Sequence, residues 1–173
     1  NRVKSIVENL RNFSRIDEGE FSLTDIHKGI DSAVLLLKKE ASDRIQIHKQ
    51  YGKIPEILCM SGNLNQVFMN ILLNGIQSIK GKGNIWIESE LKGSWISIVI
   101  KDDGIGMGKQ ELNKIFDPFY TTKPVGEGTG LGLSISYGII ENHGGSITVE
   151  SEIDSGTEFT ISIPINKGKS NEE

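Results

Sequence analysis

Asp102-Asp103-Gly104-Ile105-Gly106-Met107 follows directly on Trp95-Ile96-Ser97-Ile98-Val99-Ile100-Lys101, and the reading of that junction decides the fold. The apolar, β-branched run predicts a largely buried strand ending at Lys101, which sets Asp102 at the strand's exit. Gly104 and Gly106 lack Cβ atoms, so the backbone beyond the carboxylate can turn with positive φ or let a flat ligand come close. A carboxylate there can accept a hydrogen bond from an exocyclic amine such as that of adenine. Taken alone, the D-x-G-x-G pattern favours an ordinary loop with an acidic turn residue.

Two further stretches change that balance. From Asn63 to Ile79 the residues Leu64, Val67, Phe68, Ile71, Leu72, Ile76 and Ile79 recur at helical spacing and predict one buried stripe. Asn70 and Asn74, four apart, project beside that stripe, where two amides can offer oxygens to a hard cation and donors to phosphate. Solvated asparagines are the plainer reading of such a pair. Downstream, Gly126, Gly128, Gly130 and Gly132 alternate through a stretch too rich in glycine for regular structure. It runs straight into an apolar segment ending at His143, with Gly144-Gly145 as the stop. Glycine-rich backbone feeding a helix N-terminus presents N–H donors and a positive dipole end to phosphate.

In this order the motifs resemble the catalytic, ATP-binding domain of sensor histidine kinases, in the GHKL ATPase superfamily, from about Phe21 to Pro164. Asn70 and Asn74 match the N box, and Asp102, Gly104 and Gly106 the first glycine box. Phe116-Asp117-Pro118-Phe119-Tyr120-Thr121-Thr122-Lys123 looks like the F box, Gly128, Gly130 and Gly132 match the second glycine box, and Gly156-Thr157-Glu158-Phe159 resembles the last glycine motif. The resemblance implies an ATP- and Mg²⁺-dependent phosphotransferase in which Asp102 reads the adenine amine, Asn74 ligates Mg²⁺, and Asn70 lies along the phosphates. It places Phe119, Thr129, Leu131 and Thr157, with the glycines, in the nucleotide-binding set. Lys123 becomes a contact for the γ-phosphate and, with Asn70, part of the catalytic set.

In the superfamily's hydrolysing branches a glutamate four residues before the metal-binding asparagine activates water; here that position is Asn70. An amide has no usable proton-accepting pKa, so slow hydrolysis is expected and an ATP-driven clamp is disfavoured. A histidine kinase needs no such water, because an imidazole nitrogen attacks the γ-phosphorus. A regulatory module that grips nucleotide without turnover is the third alternative. The chain also departs from the family: Gln77 stands where many relatives carry a basic residue, and Gly75 where alanine is common. Lys123 can supply the missing charge from the other side of the pocket.

None of the three histidines fits a phosphoacceptor. His27, His48 and His143 read as structural or solvated. Val3, Ile6, Val7, Leu10 and Phe13 recur at three and four, which resembles the end of a second dimerisation helix over 1–16, with the acceptor histidine expected on a preceding segment. The expected partners are the dimerisation helices of the same kinase, in a homodimer, and a response-regulator receiver domain. A net charge of −4 among 173 residues gives no electrostatic reason to expect nucleic acid. No run approaches transmembrane length, so a cytoplasmic domain without membrane contact is expected. Cys59, the single cysteine, can form no internal disulfide and reads as core filler.

The catalytic domain is expected over 17–165, with a polar, disordered tail over 166–173. Its pattern predicts a strand near Phe21 to Leu23, a helix from Asp25 to Lys39, strands at Ile45 to Tyr51 and Glu56 to Cys59, and the asparagine-bearing helix. A hairpin follows over Gly83 to Glu90 and Ser94 to Lys101, and a second over Ser146 to Ser151 and Thr157 to Pro164. The fold class is α/β (α+β): a two-layer sandwich with a mixed, mostly antiparallel sheet and helices on one face.

Overall fold

The computed structural model describes residues 20–124 and 128–165. The segment 1–16, Gly126 and the tail over 166–173 lie outside the described residues. In chain order the elements are β1 (Ser22–Thr24), α1 (Ile26–Leu36), α2 (Lys38–Ala41), a 3₁₀ turn (Ser42–Arg44), β2 (Ile45–Tyr51), β3 (Ile57–Cys59) and α3 (Ser61–Ser78). They continue with β4 (Gly83–Lys92), β5 (Trp95–Asp102), α4 (Lys109–Leu112), α5 (Gly132–Asn142), β6 (Ser146–Glu152) and β7 (Gly156–Pro164).

A five-stranded sheet runs in the order β2-β4-β5-β7-β6. Among the described strands of this sheet only β2 and β4 pair in parallel; the other pairs are antiparallel, as two hairpins joined through β5 and β7 require. Gly93 takes φ 62° in the first hairpin's turn, and Asp154 and Gly156 take φ 61° and 88° in the second. β1 and β3 form a separate antiparallel pair. The pattern at 22–24 and 57–59 predicts strands without saying that they leave the main sheet, because three residues cannot encode a partner.

α1, α3 and α5 cover one face of the sheet. Ile26, Ile30 and Ala33 of α1, Leu64, Val67, Phe68, Ile71, Leu72 and Ile76 of α3, and Ile135, Ile139 and Ile140 of α5 meet Ile85, Ile87, Ile96, Ile98, Ile100, Ile161 and Ile163 in one core. Cys59 is fully buried within it. Phe68 is completely enclosed, and its loss to alanine is expected to cost about 3–5 kcal/mol. The helix expected to run to Lys39 breaks at Leu37, whose N–H bonds the carbonyls of Ala33 and Leu35; the tightened turn keeps its side chain in the core.

Two side chains fasten α3 at its ends. The His143 ring accepts from the Met60 N–H through Nε2 at 3.1 Å, so its Nδ1 carries the proton donated to Ile139 O at 2.7 Å. At the other end Arg44 spreads its guanidinium over the last turn, Nη1 reaching Ile79 O (2.8 Å) and Gly81 O (3.2 Å) and Nη2 reaching Ile76 O (3.0 Å). A cation there satisfies carbonyls that the helix leaves open and opposes the negative dipole end. Arg44→Ala should therefore destabilise the domain by about 2 kcal/mol in urea denaturation; an unchanged midpoint would show that solvent caps α3 equally well.

Candidate functional site

The spacing of four along α3 sets Asn70, Asn74 and Ser78 on one edge of the helix, beside the buried stripe. Each reaches a different segment of chain. Asn70 donates through Nδ2 to Gly132 O (2.9 Å) and to Ser136 Oγ (3.1 Å), and so ties α3 to the first turn of α5. The Asn70 amide lies flat against Gly132, within 3.7 Å of where a Cβ would stand. Asn74 accepts at Oδ1 from the Lys123 ammonium (3.2 Å), which also donates to Gln77 Oε1. Lys123 is half-buried, and desolvation pushes its pKa below the usual lysine value.

Asp102 closes the third side. It is only 6% exposed, and burial pushes its pKa up, opposed by the donors it has gathered: the N–H of Gly104, the Ser78 hydroxyl and the N–H of Thr157. The neighbouring charge of Asp103 adds to the upward shift. Gly104 N and Ser78 Oγ each stand 2.9 Å from Oδ1. Asp103 instead turns outward, accepting from the N–H of Asn84 (2.7 Å) and its side-chain amide (2.9 Å). Of the two adjacent aspartates, only the first faces the site.

The glycines of the first loop are demanded by contact. A Cβ on Gly106, at φ 63°, would lie 1.8 Å from Glu152 O. Ser151 secures this side: its Oγ donates to Gly156 O (2.7 Å), accepts from Met107 N–H (2.8 Å) and lies 2.9 Å from Thr157 Oγ1.

The second loop is fixed to the phenylalanine-rich segment. Phe119 N–H donates to Gly130 O at 2.8 Å, and a Cβ on Gly130, at φ 68°, would fall 2.3 Å from the Phe119 carbonyl carbon. Phe119 itself takes φ 68°, uncommon for a side-chain-bearing residue, and is 63% exposed. A Cβ on Gly128 would meet the stem of Lys123 at 3.2 Å. Thr129 Oγ1 accepts from the N–H of Leu131, which is buried at the entry to α5. The first-turn N–H groups of this eleven-residue helix thus open next to Asn70.

The structure brings together all the expected segments: Asn70 with Gly132, Asn74 with Lys123, Lys123 with Gly128, Phe119 with Gly130, and Asp102 with Gly104 and Thr157. Gly75, next to Asn74, completes the ring, since a methyl there would stand 3.4 Å from Asp102 Cβ, in ordinary contact. Ser78, Ser151 and Arg44 lie outside every motif of the sequence. Ser78 had one available signal, its position four residues beyond Asn74. The amide oxygens of Asn74 and Gln77 already hold an ammonium, which is the oxygen chemistry a hard cation requires. Among the described residues no group of three His, Cys, Asp or Glu side chains is placed to hold a metal. No helix among them is long and apolar enough to cross a membrane.

With this geometry in view, comparison with known proteins is specific. Residues 61–167 match the family described as "Histidine kinase-, DNA gyrase B-, and HSP90-like ATPase". The chain belongs to that family. It is 48% identical over 113 residues to sporulation kinase E of Bacillus subtilis, covering 65% of this chain and 15% of that protein. It is 34% identical over 167 residues to the sensor histidine kinase ZraS of Escherichia coli strain K12, covering 95% of this chain and 36% of ZraS. The chain therefore spans well under half the length of either relative. In structure it resembles the histidine kinase ThkA, solved in complex with the response regulator protein TrrA, with TM-score 0.77 and 26% identity over 95% of this chain and 48% of that one.

The buried carboxylate gives a testable slope. Folded Asp102 holds its proton at a pH where the unfolded side chain, near its ordinary 3.8, has lost it. Its contribution to stability is therefore lost as pH rises from the ordinary value through the raised one, and is level above that. Urea denaturation between about pH 4 and about pH 7 should show this loss in the native chain and less of it in Asp102→Asn. Parallel pH profiles would remove the raised pKa.

Proposed function

We propose that the chain is the ATP-binding catalytic domain of a two-component sensor histidine kinase, transferring the γ-phosphoryl group of ATP to a histidine on a dimerisation helix for relay to a response-regulator aspartate. Asn70 carries the reading. Where hydrolysing relatives place a base, this chain has an amide whose Nδ2 is spent on Gly132 O and Ser136 Oγ. Such a site supplies position and charge, not activated water.

Asp102 accepts the exocyclic amine of adenine, in a pocket completed by Gly104, Gly106 and Thr157. The backbone of Gly128, Gly130 and Gly132, with Thr129 and Leu131 at the dipole end of α5, receives the phosphates, and Phe119 borders them. Lys123 passes from the amide oxygens of Asn74 and Gln77 to the γ-phosphate as a point charge. Mg²⁺, when bound through Asn74 Oδ1, supplies charge neutralisation at the phosphates. The acceptor imidazole nitrogen forms the new P–N bond as the bond from γ-phosphorus to the bridging oxygen breaks, its electron pair leaving on ADP and the imidazole proton passing to solvent. The kinase relatives, and the response regulator bound to ThkA, support a kinase that hands phosphate to a receiver domain; the intact protein acts in this scheme as a cytoplasmic homodimer.

The test is a single turnover of γ-labelled ATP with a helical hairpin bearing an acceptor histidine. Label should move to histidine with little free phosphate released; rapid phosphate release without transfer would favour a clamp ATPase, and absence of ATP binding would overturn the site. In calorimetry Asn74→Ala should make ATP affinity the same with and without Mg²⁺; retained Mg²⁺ dependence would exclude Asn74 as ligand. Lys123→Ala should weaken ATP about tenfold relative to ADP, the scale of one charge-assisted contact. Equal losses for both nucleotides would take Lys123 away from the γ-phosphate.

A further inference from the structure

Ser78 does more at the glycine loop than its place at the end of α3 requires. Its backbone carbonyl accepts from the N–H of Ile105 at 3.2 Å, while its hydroxyl lies 2.9 Å from Oδ1 of Asp102. Gly104 is shaped around it, since a Cβ there would fall 1.9 Å from Ser78 Oγ. The hydroxyl has one proton and two acceptors in range, Asp102 Oδ1 and Gly75 O, both at 2.9 Å. An ionised carboxylate takes that proton, because a charge-assisted bond is roughly twice as strong as one to a neutral carbonyl. Oδ1 then accepts from both Ser78 and the Gly104 N–H. Oδ2 lies 3.5 Å from where a Cβ on Gly75 would stand, close to the helix backbone where glycine leaves room.

We infer that Ser78 is a positioning residue for base selection: by holding Oδ1 it fixes the plane of the Asp102 carboxylate and keeps Oδ2 as the acceptor for the purine's exocyclic amine. The inference rests on the adenine-reading role proposed for Asp102. Ser78 acts through that carboxylate and need not touch the base. Without the hydroxyl the N–H groups of Gly104 and Thr157 still hold Asp102, but they constrain less which of its oxygens meets the amine. Fully held, the carboxylate presents one chosen oxygen to the ligand, so the effect of Ser78 is confined to ligands that carry the amine.

The experiment is calorimetric titration of the native chain, Ser78→Ala, Asp102→Asn and the double variant. Two probes are used: ADP, and purine riboside diphosphate, which lacks the exocyclic amine. Alanine is a good helix residue, and equal melting temperatures verify that α3 is intact. Ser78→Ala should weaken ADP about tenfold, leave the amine-free diphosphate unchanged, and add nothing to the loss in Asp102→Asn. An equal loss for both probes would reduce Ser78 to a structural residue of the loop. Unchanged ADP affinity, or a loss that adds in full to that of Asp102→Asn, would overturn the inference. If Asp102→Asn alone binds ADP as tightly as the native chain, the adenine-reading role itself fails, which the single variants separate from a failure at Ser78.

Discussion

Asp102 is a carboxylate in a nearly closed protein interior, and a buried charge persists only where donors surround it. That requirement governs the architecture around it. The Gly104 N–H is available because the chain turns back within two residues, the Thr157 N–H because β7 lies beside β5 in register, and the Ser78 hydroxyl because α3 ends where β5 ends. The carboxylate thus joins helix, sheet and loop at one point. Gly106 and Ser151 continue the same junction outward by holding the loop against the β6–β7 turn.

α3 gives this junction its rigidity. One side of the helix is core; its edge carries Asn70, Asn74 and Ser78 at intervals of one turn. Because the edge is as rigid as the packing behind it, the three polar side chains hold fixed separations while the loops they meet adjust. The Arg44 guanidinium and the His143 ring keep the two ends of that rod in place from opposite directions of the sequence. Loss of either loosens the edge without touching it, which separates stability of the scaffold from chemistry of the site.

How much of this was legible beforehand follows from the physics of each feature. Helical and alternating periodicity exposed α3 and both hairpins, since burial of one face writes itself into every third, fourth or second residue. The inward turn of Asp102 was legible from the strand it terminates. The parallel pairing of β2 with β4 and the detached β1–β3 pair were not, because strand partners separated by long connections leave no local trace. Arg44 was invisible for the same reason: its partners are backbone carbonyls 32 to 37 residues away, and every residue has one. Ser151 acts through its hydroxyl, which no composition or spacing rule distinguishes from that of a solvated serine, and Ser78 offered only its place one turn beyond Asn74. The absence of a basic residue at Gln77 was different. It predicted a charge arriving from elsewhere, and the Lys123 ammonium lies on Gln77 itself.

That contact explains how a half-buried lysine keeps its charge on a loop. Desolvation opposes the ammonium, and two neutral amide oxygens offset part of the cost, with no carboxylate paired to it among the described residues. A carboxylate partner would hold the lysine too strongly to release it; amides hold it by about one neutral-acceptor bond each, on the order of 1–2 kcal/mol apiece. Under the proposed function the distinction is decisive. The triphosphate, with several negative charges, out-competes two amides for Lys123, and the oxygen of Asn74 that the lysine leaves is the one assigned to the metal. A single side-chain movement then exchanges one cation for another at Asn74, whose oxygen faces positive charge before and after. With a basic residue in place of Gln77 the lysine would be repelled from α3. The glutamine therefore belongs with Lys123 as a pair, and substituting either alone disturbs the position of the other.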